Sequence, residues 1–217
     1  MGVTTTMKIS LFLSVFAVSI LGIYSEVNFP APCKQFECPV YDVIEDGKDY
    51  QIRRYNSSVW VSTPPIQQIS IVTATTTGFT SLFNYKKGNN DYKQKIEMTA
   101  PVLSEVLPSD GPFIKSSFIV SFNIPKKNQA NPPPAKGLQV QKWKNVYAAV
   151  RQFGGYVNDK NVVEQAAALK DSINDTKWLS AIQKSHKASN FSVAQYNNPF
   201  QLFNRVNEIW ILFNLEN

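Results

Sequence analysis

Two glutamates stand where carboxylate chemistry could be done. Glu97 and Glu208 occupy comparable places in the two halves of the chain, each among large apolar neighbours: Ile96 and Met98 for one, Ile209 and Trp210 for the other. If both face one groove, one carboxyl could serve as general acid and the other as base on a bound small molecule, which is the equipment of a hydrolase. The competing reading has each carboxylate satisfying buried backbone donors or pairing with an arginine such as Arg53, Arg151 or Arg205. Other catalytic equipment is sparse. The G-x-S-x-G, P-loop, G-x-G-x-x-G and H-E-x-x-H patterns are absent. His186, the only histidine, lies in Lys184-Ser185-His186-Lys187-Ala188, which reads as a polar surface loop. No residue is therefore assigned a catalytic role, and no metal held by protein ligands alone is expected. Met98 is a soft ligand type, but its alternation with Ile96 and Ala100 reads as core.

These residues belong to a chain that looks exported. Lys8 precedes an apolar run from Ile9 to Tyr24, broken only by Ser10, Ser14, Ser19 and Gly22. The run is short of the ~20 residues of a comfortable membrane span. A basic start, an apolar middle and small residues at the end (Gly22, Ser25) describe a signal peptide over residues 1–25. An uncleaved N-terminal anchor is the alternative. The expected location is the secretory pathway, with the protein secreted or extracellular; an endomembrane lumen or vacuole is the alternative. Residues 26–38 then form an N-terminal segment and 39–217 one domain, long enough for a sizeable core. Cys33 and Cys38 are the only cysteines, and an oxidising compartment favours their pairing over a two-cysteine metal site. The sequons at Asn56, Asn174 and Asn190 become glycosylation acceptors on the same route. Removal of residues 1–25 takes away only Lys8, so the net charge falls from +6 to +5. The lysines are scattered, and no nucleic-acid-reading motif accompanies them, so no nucleic-acid partner is expected. No membrane contact is expected after cleavage, and the chain reads as a monomer.

The elements that must position these residues form two similar halves. Tyr50 to Thr63 reads as a strand and about Gln68 to Lys87 as a helix. Phe79, Leu82, Phe83 and Lys86 lie at helical spacing, and Gly88-Asn89-Asn90-Asp91 stops them. Its β-branched residues, Val72, Thr73 and Thr75 to Thr77, weaken helix propensity. Strands follow at Lys95 to Leu107, where Ile96, Met98, Ala100 and Val102 alternate with polar residues, and at Phe113 to Ile124. The segment Pro125 to Pro134 is an exposed linker. The second half offers a strand pair around Leu138 to Phe153 and a helix starting near Asn158-Asp159, with Val162, Ala166, Leu169 and Ile173 on one face. A further turn lies around Trp178, Leu179 and Ile182, and strands run from Phe191 to Tyr196 and Asn207 to Phe213. Strands flanking separate helices argue for the α+β class.

Three words carry a resemblance: Tyr50-Gln51-Ile52-Arg53-Arg54-Tyr55, then K-I-E-M-T-A-P-V at 95–102, then Asn207-Glu208-Ile209-Trp210. In order and spacing they resemble the SOUL/heme-binding protein family, in its secreted, plant-like branch, over roughly Cys38 to Phe213. The resemblance implies a distorted antiparallel β-barrel-like sheet built from two β-α-β-β halves, with two helices packed outside. It also implies a non-enzymatic carrier or buffer of a tetrapyrrole, heme or another porphyrin. The family's ligand lies between the first helix and the loop before the last strand. By position these are Phe79, Leu82, Phe83 and Lys86, facing Tyr196, Phe200, Gln201 and Phe203 in the loop from Tyr196 to Phe203. One branch has a histidine, proposed to ligate heme iron, where this chain has Arg54. Another has basic residues at the positions of Thr76, Asn84 and Gln201. Propionate recognition is therefore expected to rest on Lys86, Lys87 or hydrogen bonds, so an esterified porphyrin would bind nearly as well as the free acid.

Overall fold

The computed structural model describes residues 29–108, 116–185 and 190–215. The expected signal peptide, His186 and the start of the strand drawn from Phe113 lie outside them. Eight strands are present: β1 (Asp42–Asp46), β2 (Gln51–Ser62), β3 (Ile66–Gln68), β4 (Val102–Val106), β5 (Ser116–Asn123), β6 (Gln139–Gly154), β7 (Phe191–Gln195) and β8 (Val206–Phe213). Three helices join them: α1 (Ile71–Lys86), α2 (Asp159–Ile173) and α3 (Trp178–Lys184). The strands pair antiparallel in the order β1-β2-β6-β8-β7-β4-β5-β3, and β2 also pairs with β5. That pairing closes β2, β6, β8, β7, β4 and β5 into a barrel, leaving β1 and β3 as additions. The fold is α+β and barrel-like, as expected, with three helices rather than two. None of the described helices is long and apolar enough to cross a membrane.

The barrel interior is aromatic. Tyr55, Trp60, Trp143, Tyr196 and Trp210 pack together with Leu103 and Leu212. On the outer face Ile209, Ile211 and Phe213 meet Val162, Ala166, Leu169 and Ile173 of α2, the four residues whose spacing predicts that contact. Asn158 caps α2 in a reciprocal box with Asn161. Asp159 then accepts hydrogen bonds from Ile71 N (2.7 Å) and the Ser70 hydroxyl (2.7 Å), fastening the start of α1 to the start of α2. α1 lies against β5, close enough that a Cβ on Gly78 would stand 2.4 Å from Val120 Cβ.

Two strands differ from their sequence expectation. The pair drawn around Leu138 to Phe153 is the single strand β6. Its inward residues are Trp143 before Asn145 and Val146, Ala148 and Val150 after it. The phase changes at Asn145, whose φ of 52° suits asparagine. That change breaks the simple alternation by which one strand is recognised. The strand expected from Lys95 begins only at Val102. Pro101 has no N–H to give a ladder, the Ala100–Pro101 peptide is cis, and residues 95–100 run as an irregular segment against the end of α1.

Candidate functional site

A groove opens between α1, this irregular segment and the loop joining β7 to β8. Its larger lobe has a volume of ≈ 520 Å³ and an apolar lining: Phe79 and Phe83 on one side, Met98, Ala100 and Val102 on the floor, and Tyr196, Pro199 and Phe200 opposite. Phe79 and Phe83 stack at 5.7 Å, one helical turn apart, and Phe79 meets Phe122 edge-on at 5.3 Å. Lys87 Nζ lies 4.6 Å from the centre of the Phe83 ring. A smaller lobe of ≈ 260 Å³ continues from it, sharing Phe79, Val102, Gln195, Asn197 and Pro199 and adding Thr75, Thr76 and Arg205. A separate cleft of ≈ 370 Å³ near the β1–β2 turn is polar, and its Arg151 and Asp49 face one another at 3.7 Å. Size and apolar lining make the first groove the candidate ligand site.

The N-terminal segment supplies a wall that sequence reasoning missed. Cys33 and Cys38 form a disulfide. Glu37 within its loop accepts from Ala100 N (3.0 Å) through its carbonyl and from Lys126 N through its carboxylate (2.6 Å). The pinned loop brings Phe36 into the groove. An aromatic residue between two paired cysteines, with no core of its own nearby in sequence, was the available signal.

Of the expected ligand residues, Phe79, Phe83, Tyr196 and Phe200 line the groove. Leu82 does not: it is fully buried with Val59, Val120 and Phe122, where α1 packs on the sheet. Lys86 does not either. Its ammonium is buried and donates to Glu97 O (3.0 Å), Thr99 Oγ1 (3.3 Å) and Asn123 O (2.8 Å). Burial pushes this lysine down to about 7, against the opposing pull of Glu37 and Glu97. It anchors the groove floor from behind instead of meeting a ligand. Helical periodicity placed Lys86 on the apolar face correctly but could not show that three oxygens awaited it there.

The β7–β8 loop is held by its own polar groups. Asn197 Oδ1 accepts from Val206 N (2.6 Å), Asn198 Oδ1 accepts from Phe200 N (2.8 Å), and Arg205 Nη1 donates to Asn198 O (3.1 Å) and Gln201 O (2.7 Å). Phe200 stands at the mouth, 88% exposed, while Phe203 is 78% exposed and outside the lining. Gln201 is also outside it and donates to Phe203 O (2.9 Å). Met98, read as core, is half-buried in the floor.

The carboxylate pair does not form. Glu97 is exposed and pairs with Lys127 at 2.7 Å. Glu208 is wholly buried in the barrel, bridged to Arg53 by bonds of 2.9 and 3.0 Å. It also accepts from Tyr196 Oη (2.7 Å) and Trp210 Nε1 (2.7 Å). Neither glutamate lines the groove, and the arginine pairing is the reading that holds for Glu208. Among the described residues no cluster of three or more His, Cys, Asp or Glu could hold a metal ion. The three sequon asparagines are all exposed.

Fold and groove together define a small β-barrel with an apolar ligand cleft on its flank. A model of the SOUL heme-binding protein family matches residues 36–212. The chain belongs to that family. Heme-binding protein 2 of Homo sapiens is 32% identical over 188 residues, covering 84% of this chain and 88% of that protein. Heme-binding protein 1 of Xenopus laevis is 26% identical over 172 residues, or 78% of this chain and 86% of that protein. Among solved structures, the EcmrR C-terminal domain has a TM-score of 0.53 at 9% identity over 81% of this chain and 99% of that one, a likeness of fold alone.

Proposed function

We propose that this chain binds a tetrapyrrole, heme or a related porphyrin, in the groove and acts as a carrier or buffer without catalysis. The observation that carries this reading is the aromatic slot of Phe36, Phe79, Phe83 and Phe200 over a floor of Met98 and Ala100. Membership in a heme-binding family and the likeness to heme-binding proteins 1 and 2 support it. The residues also fit such a ligand at the polar end, where buried N–H donors of Arg205 and Asn197 lack partners among the described residues. A macrocycle in this slot lies on rings and aliphatic side chains, while iron, when present, would bring its own redox and ligand-binding chemistry.

Burying on the order of 300 Å² of a flat macrocycle at ~25 cal/mol/Å² contributes ~7 kcal/mol. Association costs several kcal/mol, and a micromolar Kd corresponds to about −8 kcal/mol. Preorganised walls and a few polar contacts are thus needed to reach micromolar affinity, and the self-bonded loop and the pinned disulfide segment supply such walls. Among the described residues the groove lining holds no imidazole or thiolate, and Met98 is its one soft ligand type, so the reading has binding rest on the macrocycle more than on the metal. The same reading takes the protein as a monomer exported through the secretory pathway, with glycans on Asn56, Asn174 and Asn190.

Equilibrium titration followed by porphyrin absorbance and tryptophan quenching tests it. Hemin and metal-free protoporphyrin should both bind saturably, with affinities within about tenfold. The combined change Phe83→Ala and Phe200→Ala should weaken both. Absence of saturable binding of either ligand would sink the proposal.

A further inference from the structure

The smaller lobe of the groove contains a cation without a counter-ion. Arg205 is 9% exposed, and its side chain belongs to the lobe lining. Nη1 is spent on the two loop carbonyls, and the guanidinium carbon lies 4.7 Å from the centre of the Tyr156 ring. Nε is buried and has no hydrogen-bond partner among the described residues. Among the described residues no carboxylate pairs with Arg205. A buried charge that meets only dipoles and a ring face retains a large desolvation cost, and an anion is what would repay it.

Asn197 presents the second donor in the same lobe. Its Oδ1 is committed to Val206 N, which fixes the amide orientation and turns the NH₂ the other way. That Nδ2 is also buried and has no partner among the described residues. Neighbouring hydroxyls are already engaged: Thr75 with Ser104 at 2.7 Å, and Thr76 with Val72 O at 2.9 Å. Among the described residues these two donors stay idle on side chains that line one lobe, and a guanidinium with an amide NH₂ is the donor set from which a carboxylate accepts.

We infer that Arg205 and Asn197 take a carboxylate of the ligand, a propionate of the tetrapyrrole, at the polar end of the groove. The inference rests on the tetrapyrrole reading and assigns the group that reads the ligand's charge. It replaces the expectation from sequence that Lys86 or Lys87 does so: Lys86 is spent on the groove floor, and Lys87 lies exposed beside Phe83. A buried guanidinium and an exposed ammonium have opposite signatures. The first rejects an ester and is poorly screened by salt; the second contributes too little to reject the ester, and salt screens even that contribution.

The experiment compares protoporphyrin with its dimethyl ester by absorbance titration of the intact mature protein. The native chain should prefer the free acid by about tenfold or more, a charge-assisted contact being stronger than a neutral one. That preference should survive ~0.5 M salt. Arg205→Met should abolish it. Because Arg205 also holds the loop, Asn197→Asp is the deciding variant: it keeps the acceptor for Val206 and puts an anion where the carboxylate docks. It should lower free-acid affinity by about tenfold or more while ester affinity stays within about threefold. Equal binding of acid and ester by the native chain overturns this inference alone. A free-acid preference that survives Asn197→Asp also overturns it. Failure of both ligands to bind the native chain overturns the tetrapyrrole reading together with it.

Discussion

Replacing Glu208 by glutamine tests what the buried carboxylate is for. Glu208 is fully enclosed and receives four hydrogen bonds: two from Arg53, at 3.0 and 2.9 Å, and one each from Tyr196 and Trp210, both at 2.7 Å. Arg53 is itself only 3% exposed and lies 4.3 Å over the Tyr41 ring. Glutamine keeps the shape but removes the charge, leaving a guanidinium buried among aromatics with no anion. Breaking one side of such a pair costs ~3–5 kcal/mol. With a urea slope of ~2 kcal/mol/M for a domain of this size, the midpoint should fall by roughly 2 M. Arg53→Met should cost a similar amount. The double change Arg53→Met with Glu208→Gln removes both charges, so its cost should fall well short of the sum, by ~2 kcal/mol or more. Urea denaturation followed by circular dichroism measures all three. Additive costs, or a Glu208→Gln midpoint within ~0.5 M of the native one, would refute a structural ion pair. A hydrolytic activity lost on Glu208→Gln with the midpoint unchanged would also show that the catalytic reading of this residue was discarded wrongly.

Gly78→Ala should lower the melting temperature by several degrees and weaken porphyrin binding. The ~1 kcal/mol gain in helix propensity is outweighed because the new Cβ meets Val120 Cβ at 2.4 Å, and overpacking costs ~1–3 kcal/mol. A melting temperature that is unchanged or raised in Gly78→Ala would argue against this contact. Cys33→Ser with Cys38→Ser opens a small loop worth about 2 kcal/mol. It should also reduce ligand affinity by freeing Phe36, so unchanged affinity would show that Phe36 is not a wall of the groove. Stability against pH should rise and then fall. Lys86 is pushed down to about 7 by burial, while in the unfolded chain it titrates near ~10.4. Its contribution is therefore complete above the unfolded value and is lost as pH falls through the native one. Tyr41 and Tyr85 are pushed up to about 12, chiefly by burial, so stability should decline as pH climbs past ~10. Urea midpoints across this range in the native protein and in Lys86→Met check the first limb, which the variant should flatten. A native midpoint that falls steadily from pH 7 to about 9 would contradict the assignment.

Local periodicity made much of this architecture legible. The buried stripe of α2 follows from four spaced apolar residues, and α1 follows from Phe79, Leu82 and Phe83 despite its threonines. Phe79, Phe83, Tyr196 and Phe200 could be placed at the site because the family resemblance fixes which helix and loop face one another. What stayed hidden depends on long-range partners. Lys86 shares its helix with Phe79 and Phe83, and only the fold shows Glu97 O, Thr99 and Asn123 O around it. Glu97 and Glu208 have similar neighbours in sequence, yet one reaches solvent and Lys127 while the other points into the barrel at Arg53. Phe36 enters the groove because the Glu37 backbone pairs with residues 99–100, a contact across some sixty positions that no periodicity reports. Arg205 stood out in the sequence only as a possible ion-pair partner for a glutamate, whereas in the fold it holds the carbonyls of Asn198 and Gln201.

The central claim is that a tetrapyrrole lies in the groove between α1 and the β7–β8 loop. Amide chemical-shift mapping of the labelled protein, titrated with metal-free protoporphyrin, tests it most directly. The shifts should cluster on Phe36, Phe79 to Phe83, Met98 to Val102 and Gln195 to Phe200, and should include Arg205. Shifts centred instead on the polar cleft of Asp46 to Gln51 and Arg151, or the absence of saturable shifts anywhere, would contradict it.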